Sequence, residues 1–311
     1  MPAFVETMFY VRETPWHGLG VRVESALSSE EALIKSGLNW TVAQRPIMTS
    51  NYKPIPGYKA NIRQSDDRVL GVVTDRYKVV QNSEAFAFTD TLLGEGVKYE
   101  TAGSLQDGRK IWLLAKLPDK YIMEGEKIEP YLVFSNTHDG TGSIKVAMTP
   151  IRVVCQNTLN IALSTAKRVW STVHVGDLAH KMDEAHNTLL LAEDYMHHLG
   201  AEFSRLSKIR LSDSKVMEYI DMLLPMADDP TPIQRKNTMQ IRDDLKSRYF
   251  DAPDLRVINR SAYRFINAVS DYATHAKPLR ETASYRENVF AKTIEGNPLI
   301  DKAYEIVLAA A

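Results

Sequence analysis

Eight histidines and one cysteine are the side chains of this chain best suited to metal or nucleophilic chemistry. The histidines are His17, His138, His174, His180, His186, His197, His198 and His275. None belongs to a His-x3-His pair or a His-Glu-x-x-His run, the spacings that aim two ring nitrogens at one ion from a helix face. Surface or capping histidines account for them better, and no metal or other cofactor is expected. Cys155 sits in Arg152-Val153-Val154-Cys155-Gln156-Asn157. A thiol at a strand-to-helix junction can be activated by helix amides, but this one continues an apolar strand, where cysteine acts as a small hydrophobe. No Gly-x-Ser-x-Gly elbow is present.

Phosphate-binding loops are equally sparse. The absence of a Gly-x4-Gly-Lys-Ser/Thr stretch argues against a P-loop ATPase. Gly18-Leu19-Gly20 lacks the third glycine and the preceding strand of a dinucleotide fingerprint. His138-Asp139-Gly140-Thr141-Gly142 could offer backbone amides to an anion, yet a plain turn between two strands explains both glycines.

A third pattern is more coherent. Several predicted strands combine basic with aromatic residues: Arg76 and Lys78 around Tyr77, then Arg109 and Lys110 before Trp112. Lys145 and Arg152 lie on the next strand, and Lys167, Arg168 and Trp170 follow. A groove that tracks single-stranded nucleic acid needs cations for phosphates and flat rings for bases. The competing reading is a solvated sheet face whose aromatics turn inward. Arg76, Lys78, Arg109, Lys110, Lys145 and Arg152 are the candidate binding residues, with single-stranded DNA as the candidate ligand.

These residues must be held by a particular set of elements. Thr14 to Gly20 reads as a loop, and Ser28 to Ile34 as a short helix ended by Gly37. Trp40 to Arg45 alternates like a strand, and Pro54, Pro56 and Gly57 suggest a turn. Val69 to Thr74 and Tyr77 to Val80 read as strands. Asn82-Ser83-Glu84 predicts a capped helix to about Leu93. Gln106-Asp107-Gly108 separates two apolar runs, a strong hairpin signal. Pro130 to Asn136 and Ser143 to Val154 form a further pair, and Asn157 is expected to cap a helix over 158–165. The sum is an α+β fold, an antiparallel strand meander with packed helices.

After Gly176 the pattern becomes helical, with helices over 178–207, 212–224, 232–249, 261–275 and near 298–310. Thr231-Pro232 is a cap followed by a first-position proline. Residues 1–177 are therefore expected to form a strand-rich domain and 178–311 a helical region. In the long helix, Met182, Ala185, Leu189, Ala192, Met196, Leu199, Phe203 and Leu206 step by three and four. This heptad seam either packs on the chain's own body or joins protomers.

Bulk properties narrow the function. The 311 residues carry a net charge of −1, so binding to a polyanion requires a focused groove rather than an overall basic excess. Residues 1–180 hold 20 basic and 19 acidic side chains, and residues 181–311 hold 18 and 20. A single cysteine excludes an intramolecular disulfide and fits a reducing compartment. Neither a secretory signal nor a membrane-spanning run is visible, and a cytoplasmic protein is expected.

Four segments carry a resemblance. They are Trp16-His17-Gly18-Leu19-Gly20, Asp75 to Asn82, Pro150 to Leu159, and Asn267-Ala268-Val269 to Asp271-Tyr272. Together they resemble a family of laterally transferred phage- and plasmid-borne proteins of uncharacterised function. The resemblance implies a mobile-element protein and supplies no catalytic residues. The meander with its packed helix also looks like the core of phage single-strand-annealing proteins, a likeness of fold only. The leading expectation is an ATP-independent nucleic-acid-binding protein of phage or plasmid DNA metabolism, annealing single strands as a homo-oligomer. The alternatives are a non-enzymatic host-interaction protein and a hydrolase or transferase with an unfamiliar site.

Overall fold

The computed structural model describes residues 5–11, 20–94, 97–117, 121–123, 125–152, 157–158, 169–277, 279 and 297–309. The loop expected at Thr14 to Gly20, apart from Gly20 itself, lies outside them, as do Cys155, Lys167, Arg168 and most of the 158–165 segment. The fold is α+β: strands in sheets, then a helical C-terminal region. It divides into two compact units, one of residues 1–118, 131–148 and 168–191, the other of 119–130, 149–167 and 192–311.

The first unit holds two sheets. In the larger, β1 (Val5–Val11) pairs in parallel with β2 (Val21–Val23) and antiparallel with β6 (Lys98–Leu105). The order then runs through β7 (Lys110–Lys116), β9 (Glu126–Thr137) and β10 (Ile144–Arg152), with β12 (Val169–Thr172) on the far side of β10. Asp107-Gly108 makes the expected hairpin: Gln106, Asp107 and Gly108 all have positive φ, and Leu105 pairs with Lys110.

Alternation sorts the faces of this sheet. Ile111 and Leu113 of β7, Leu132 and Phe134 of β9, and Ile144 and Val146 of β10 point into one apolar core. Two helices cover it: α1 (Ser29–Lys35) contributes Ala32, and α2 (Asn82–Leu93) contributes Ala85 and Phe86. The smaller sheet is β3 (Val42–Met48), β4 (Pro54–Arg63) and β5 (Arg68–Thr74), antiparallel throughout.

Three sequence expectations need correction here. Pro54, Pro56 and Gly57 belong to the start of β4, and the turn precedes them at 49–53. Prolines are tolerated because β5 pairs with β4 only from Tyr58 onward. Tyr77 to Val80 is not a strand: the Lys78 amide donates to the His174 carbonyl in a loop. Asn82 is not the cap of α2. Gln81 precedes the helix with its amide on Glu84 Oε2, and its carboxamide bonds both the amide and the carbonyl of Val42.

In the second unit β8 (Tyr121–Met123) pairs with the start of β9. Asn157 lies in strand β11 (Asn157–Thr158), paired antiparallel with Arg152, so the expected capping role is wrong. Thr158 continues the same pairing, opposite Ile151 of β10.

The helical part matches the sequence closely. It comprises the end of α3 (Leu178–Lys208), α4 (Asp213–Leu223), α5 (Pro232–Asp251), a short α6 (Pro253–Arg256), α7 (Ala262–His275) and α8 (Pro298–Ala309). Thr231 and Gln234 form a capping box around Pro232. Helix α7 is its centre, with every residue from Ala262 to Ser270 buried. The Arg264 guanidinium lies over the Tyr249 ring and donates to the Tyr249 and Ile258 carbonyls.

Helix α3 is continuous, and its seam residues Ala185, Met196, Leu199, Phe203 and Leu206 are buried within the chain. The side chains of Met182, Leu189 and Ala192 lie outside the described set. Phe203 rests on Tyr263 of α7, 5.0 Å between ring centres. This half of the seam packs on the chain's own body, so Leu199→Ala should destabilise the protein by about 2–5 kcal/mol. Urea unfolding beside light scattering checks this: the midpoint falls and the particle mass stays unchanged. A fall in mass with unchanged stability would mean that the seam joins protomers.

Candidate nucleic-acid interface

Five of the candidate cations, Arg76, Lys78, Arg109, Lys110 and Lys145, lie on strand ends and loops of the first unit around the 137–139 stretch, and Arg152 belongs to the second unit. Tyr77 is the first link. Its ring is buried and stacks on His174 at 4.4 Å between centres, and its hydroxyl donates to the Thr137 carbonyl. This fixes the backbone of the exposed residues on either side, Arg76 and Lys78. Arg109 is exposed on the β6–β7 hairpin, and its carbonyl accepts the His138 amide at 2.7 Å. Lys110 opens β7 directly across from Thr137. Arg152 closes β10, and its side chain lies outside the described residues.

Lys110, Thr137 and Lys145 share a face. On their three neighbouring strands each alternates with residues of the apolar core, so all three point the other way. Lys145 is partly buried. Burial, then the nearby charge of Lys110, lowers its proton affinity from the ordinary lysine value. The Thr137 hydroxyl is buried and finds no hydrogen-bond partner among the described residues.

The other side of this stretch is a buried polar network. Asn82 Nδ2 donates to the carbonyls of Leu38 and Trp40, so its Oδ1 faces His138 Nε2 at 3.0 Å. That geometry puts the ring proton on Nε2 and leaves Nδ1 as a bare acceptor, buried and without a partner among the described residues. Asn61 of β4 donates to the His138 carbonyl at 2.7 Å, and the Trp40 ring meets the imidazole edge-on. His174 donates from Nδ1 to the Lys78 carbonyl, and its Nε2 is in the same position as His138 Nδ1. Gly71 admits this arrangement: a Cβ there would lie 2.5 Å from Asp139 Cα.

His138 and His174 are therefore buried structural histidines, not the surface or capping residues that the sequence suggested. Among the described residues no group of three or more His, Cys, Asp or Glu side chains is arranged to hold a metal. The 138–142 loop is the expected turn, with Asp139 Oδ1 accepting from the Thr141 amide and hydroxyl.

The aromatic half of the expected pattern changes. Tyr77, Trp112 and Trp170 are all buried, so they offer no ring to a base. Exposed rings occur elsewhere, at Tyr52 and Tyr58 in the smaller sheet and its hairpin. The proline-rich segment between them concealed that strand; the usable signal was the alternation from Tyr58 through Ala60 to Ile62.

A family model described as a domain of unknown function, DUF932, matches residues 69–293. The chain belongs to that family. The match includes every candidate cation, from Arg76 to Arg152, and begins inside β5. No curated protein and no solved structure matches the chain. Family membership carries no activity, and no described helix is long and apolar enough to cross a membrane.

The buried imidazoles give the protein an acid limit. Burial, with a smaller contribution from His174, holds His138 down to about 3. Burial also lowers His174, although its bond to the Lys78 carbonyl and nearby Asp139 favour its charged form. In the unfolded chain both titrate near 6.5. Below that pH the unfolded state takes up protons that the folded state refuses, so stability is full above about pH 7 and falls toward pH 3. The slope reaches about 1.4 kcal/mol per pH unit for each such histidine. Urea midpoints at pH 7.5, 6 and 5 check this, and His138→Gln should flatten the dependence. A wild type equally stable at pH 7.5 and 5 contradicts it.

Proposed function

We propose that the protein binds single-stranded DNA without sequence preference and without ATP, in phage or plasmid DNA metabolism, where it anneals strands as an oligomer. The observation that carries this reading is the shared face of Lys110, Thr137 and Lys145. Two cationic side chains on one face of a rigid sheet give successive phosphates of a strand two points of charge-assisted contact. Arg76, Lys78 and Arg109 stand exposed on adjoining loops and extend the positive field along a strand's backbone.

The remaining support comes from the sequence. The chain lacks a P-loop, which argues against ATP-driven translocation. Its segments resemble mobile-element proteins, which directs the reading to DNA.

Fluorescence anisotropy with labelled oligonucleotides tests it. Single strands should bind at low salt, and affinity should fall steeply as salt rises. Lys110→Gln with Lys145→Gln should weaken binding and lower the salt slope by roughly 0.7 for each phosphate that is no longer neutralised. Arg76→Gln with Lys78→Gln should do the same at nearly unchanged melting temperature, because exposed charges add little stability. No binding of any oligonucleotide by folded wild-type protein at low salt overturns the reading.

A further inference from the structure

The smaller sheet has one buried face and a second that is open over Tyr58, Val69 and Val72, where only Ile62 among the β4 residues of that face is buried. Asn61, Arg63, Leu70 and Val73 are buried. On the outward side Tyr58 is 50% exposed, Val69 52% and Val72 57%. The register brings these together. Ala60 lies between Arg45 on β3 and Val72 on β5, and Tyr58, two residues earlier on β4, pairs with Thr74. Period-two alternation puts Tyr58 and Ala60 on one face. The small Ala60 side chain leaves a shallow floor between the taller Tyr58 and Val72. Tyr52, 87% exposed, stands at the hairpin tip beyond Met48.

An exposed apolar and aromatic sheet face is a candidate contact surface, and charge selects among its possible occupants. Residues 42–78 contain seven basic and three acidic side chains, a net +4, within a chain whose total is −1. The rest of the chain is therefore at −5. The positive charge is concentrated on the module that carries the open face. Arg63 is buried in ion pairs with Glu6 and Asp66, but Arg45, Lys53 and Arg76 are exposed. The Arg45–Asp67 pair is solvent-exposed on both sides, an interaction that a phosphate displaces at small cost.

We infer that this face is a stacking platform for the bases of a single strand, with Tyr58 as the principal ring and Val72 as an apolar contact. Arg45, Lys53 and Arg76 hold the flanking phosphates. Flat exposed rings on a sheet surrounded by cations suit unpaired bases, whose π-faces are free and whose backbone is anionic. A duplex hides those faces, so the platform selects single strands. The inference rests on the single-strand-binding reading above and adds the element that recognises bases, which the lysine face cannot do.

The test compares an ordinary single strand with an abasic strand of equal length, which keeps the phosphates and lacks the bases. Wild-type protein should bind the ordinary strand about 5- to 100-fold more tightly. Tyr58→Ala should remove that preference while leaving abasic binding and the melting temperature unchanged. Tyr58→Phe, which keeps the ring, should retain it. Wild-type protein that binds neither strand overturns the single-strand reading and this inference with it. If wild-type protein binds both strands equally, or if Tyr58→Ala leaves the preference intact, only the platform falls, and the face belongs to a protein partner. Loss of the preference in Tyr58→Phe would assign the effect to the hydroxyl and likewise overturn stacking.

Discussion

His138 joins several elements through its backbone, and its ring must be neutral and in one orientation to meet Asn82. Its ring nitrogen gives a proton to Asn82, whose amide in turn holds the carbonyls before β3. Its backbone takes a hydrogen bond from Asn61 of the smaller sheet and gives one to the hairpin at Arg109. A proton on Nδ1 would place a charge in a site where no described acceptor meets it, a cost far above that of any single neutral hydrogen bond. The end of strand β9, helix α2, the smaller sheet and the Arg109 hairpin all meet at one residue.

That dependence explains the spacing of the cations. Arg76 and Lys78 project from a loop whose intervening Tyr77 is fixed to Thr137, next to His138. Arg109 and Lys110 are fixed from the other side through the His138 amide and the Thr137 pairing. The charges are thus carried by short segments at the surface, while the rings that appear beside them in the sequence serve as anchors beneath. The sheet that carries exposed rings is attached to the same stretch through Asn61, and its close approach is possible because Gly71 has no side chain.

Much of the architecture is legible in the sequence because it depends on local signals. The Thr231-Pro232 start, the Asp107-Gly108 hairpin and the three-four stepping of α3 each reflect interactions within a few residues. The errors occur where long-range partners decide. Asn82 and Asn157 have the chemistry of helix caps, but one is drawn inward to His138 and the other into a strand against Arg152. Tyr77 to Val80 has strand-like residues but lies in a loop held by His174. For the candidate interface the cation positions are local and readable. Which aromatics face inward depends on sheet register and burial, which spacing alone does not supply.

The carboxamide of Gln81 has an effect beyond the start of α2. β3 is an edge strand, and an unprotected edge presents donors and acceptors to any passing β-strand. At Val42 both groups are already occupied by Gln81, in the manner of a paired residue. Four residues along, on the same side of the strand, Pro46 has no amide hydrogen to offer. The two together deny a second chain a regular ladder on this edge. Growth of the sheet by strand addition at its β3 edge is closed by one glutamine and one proline.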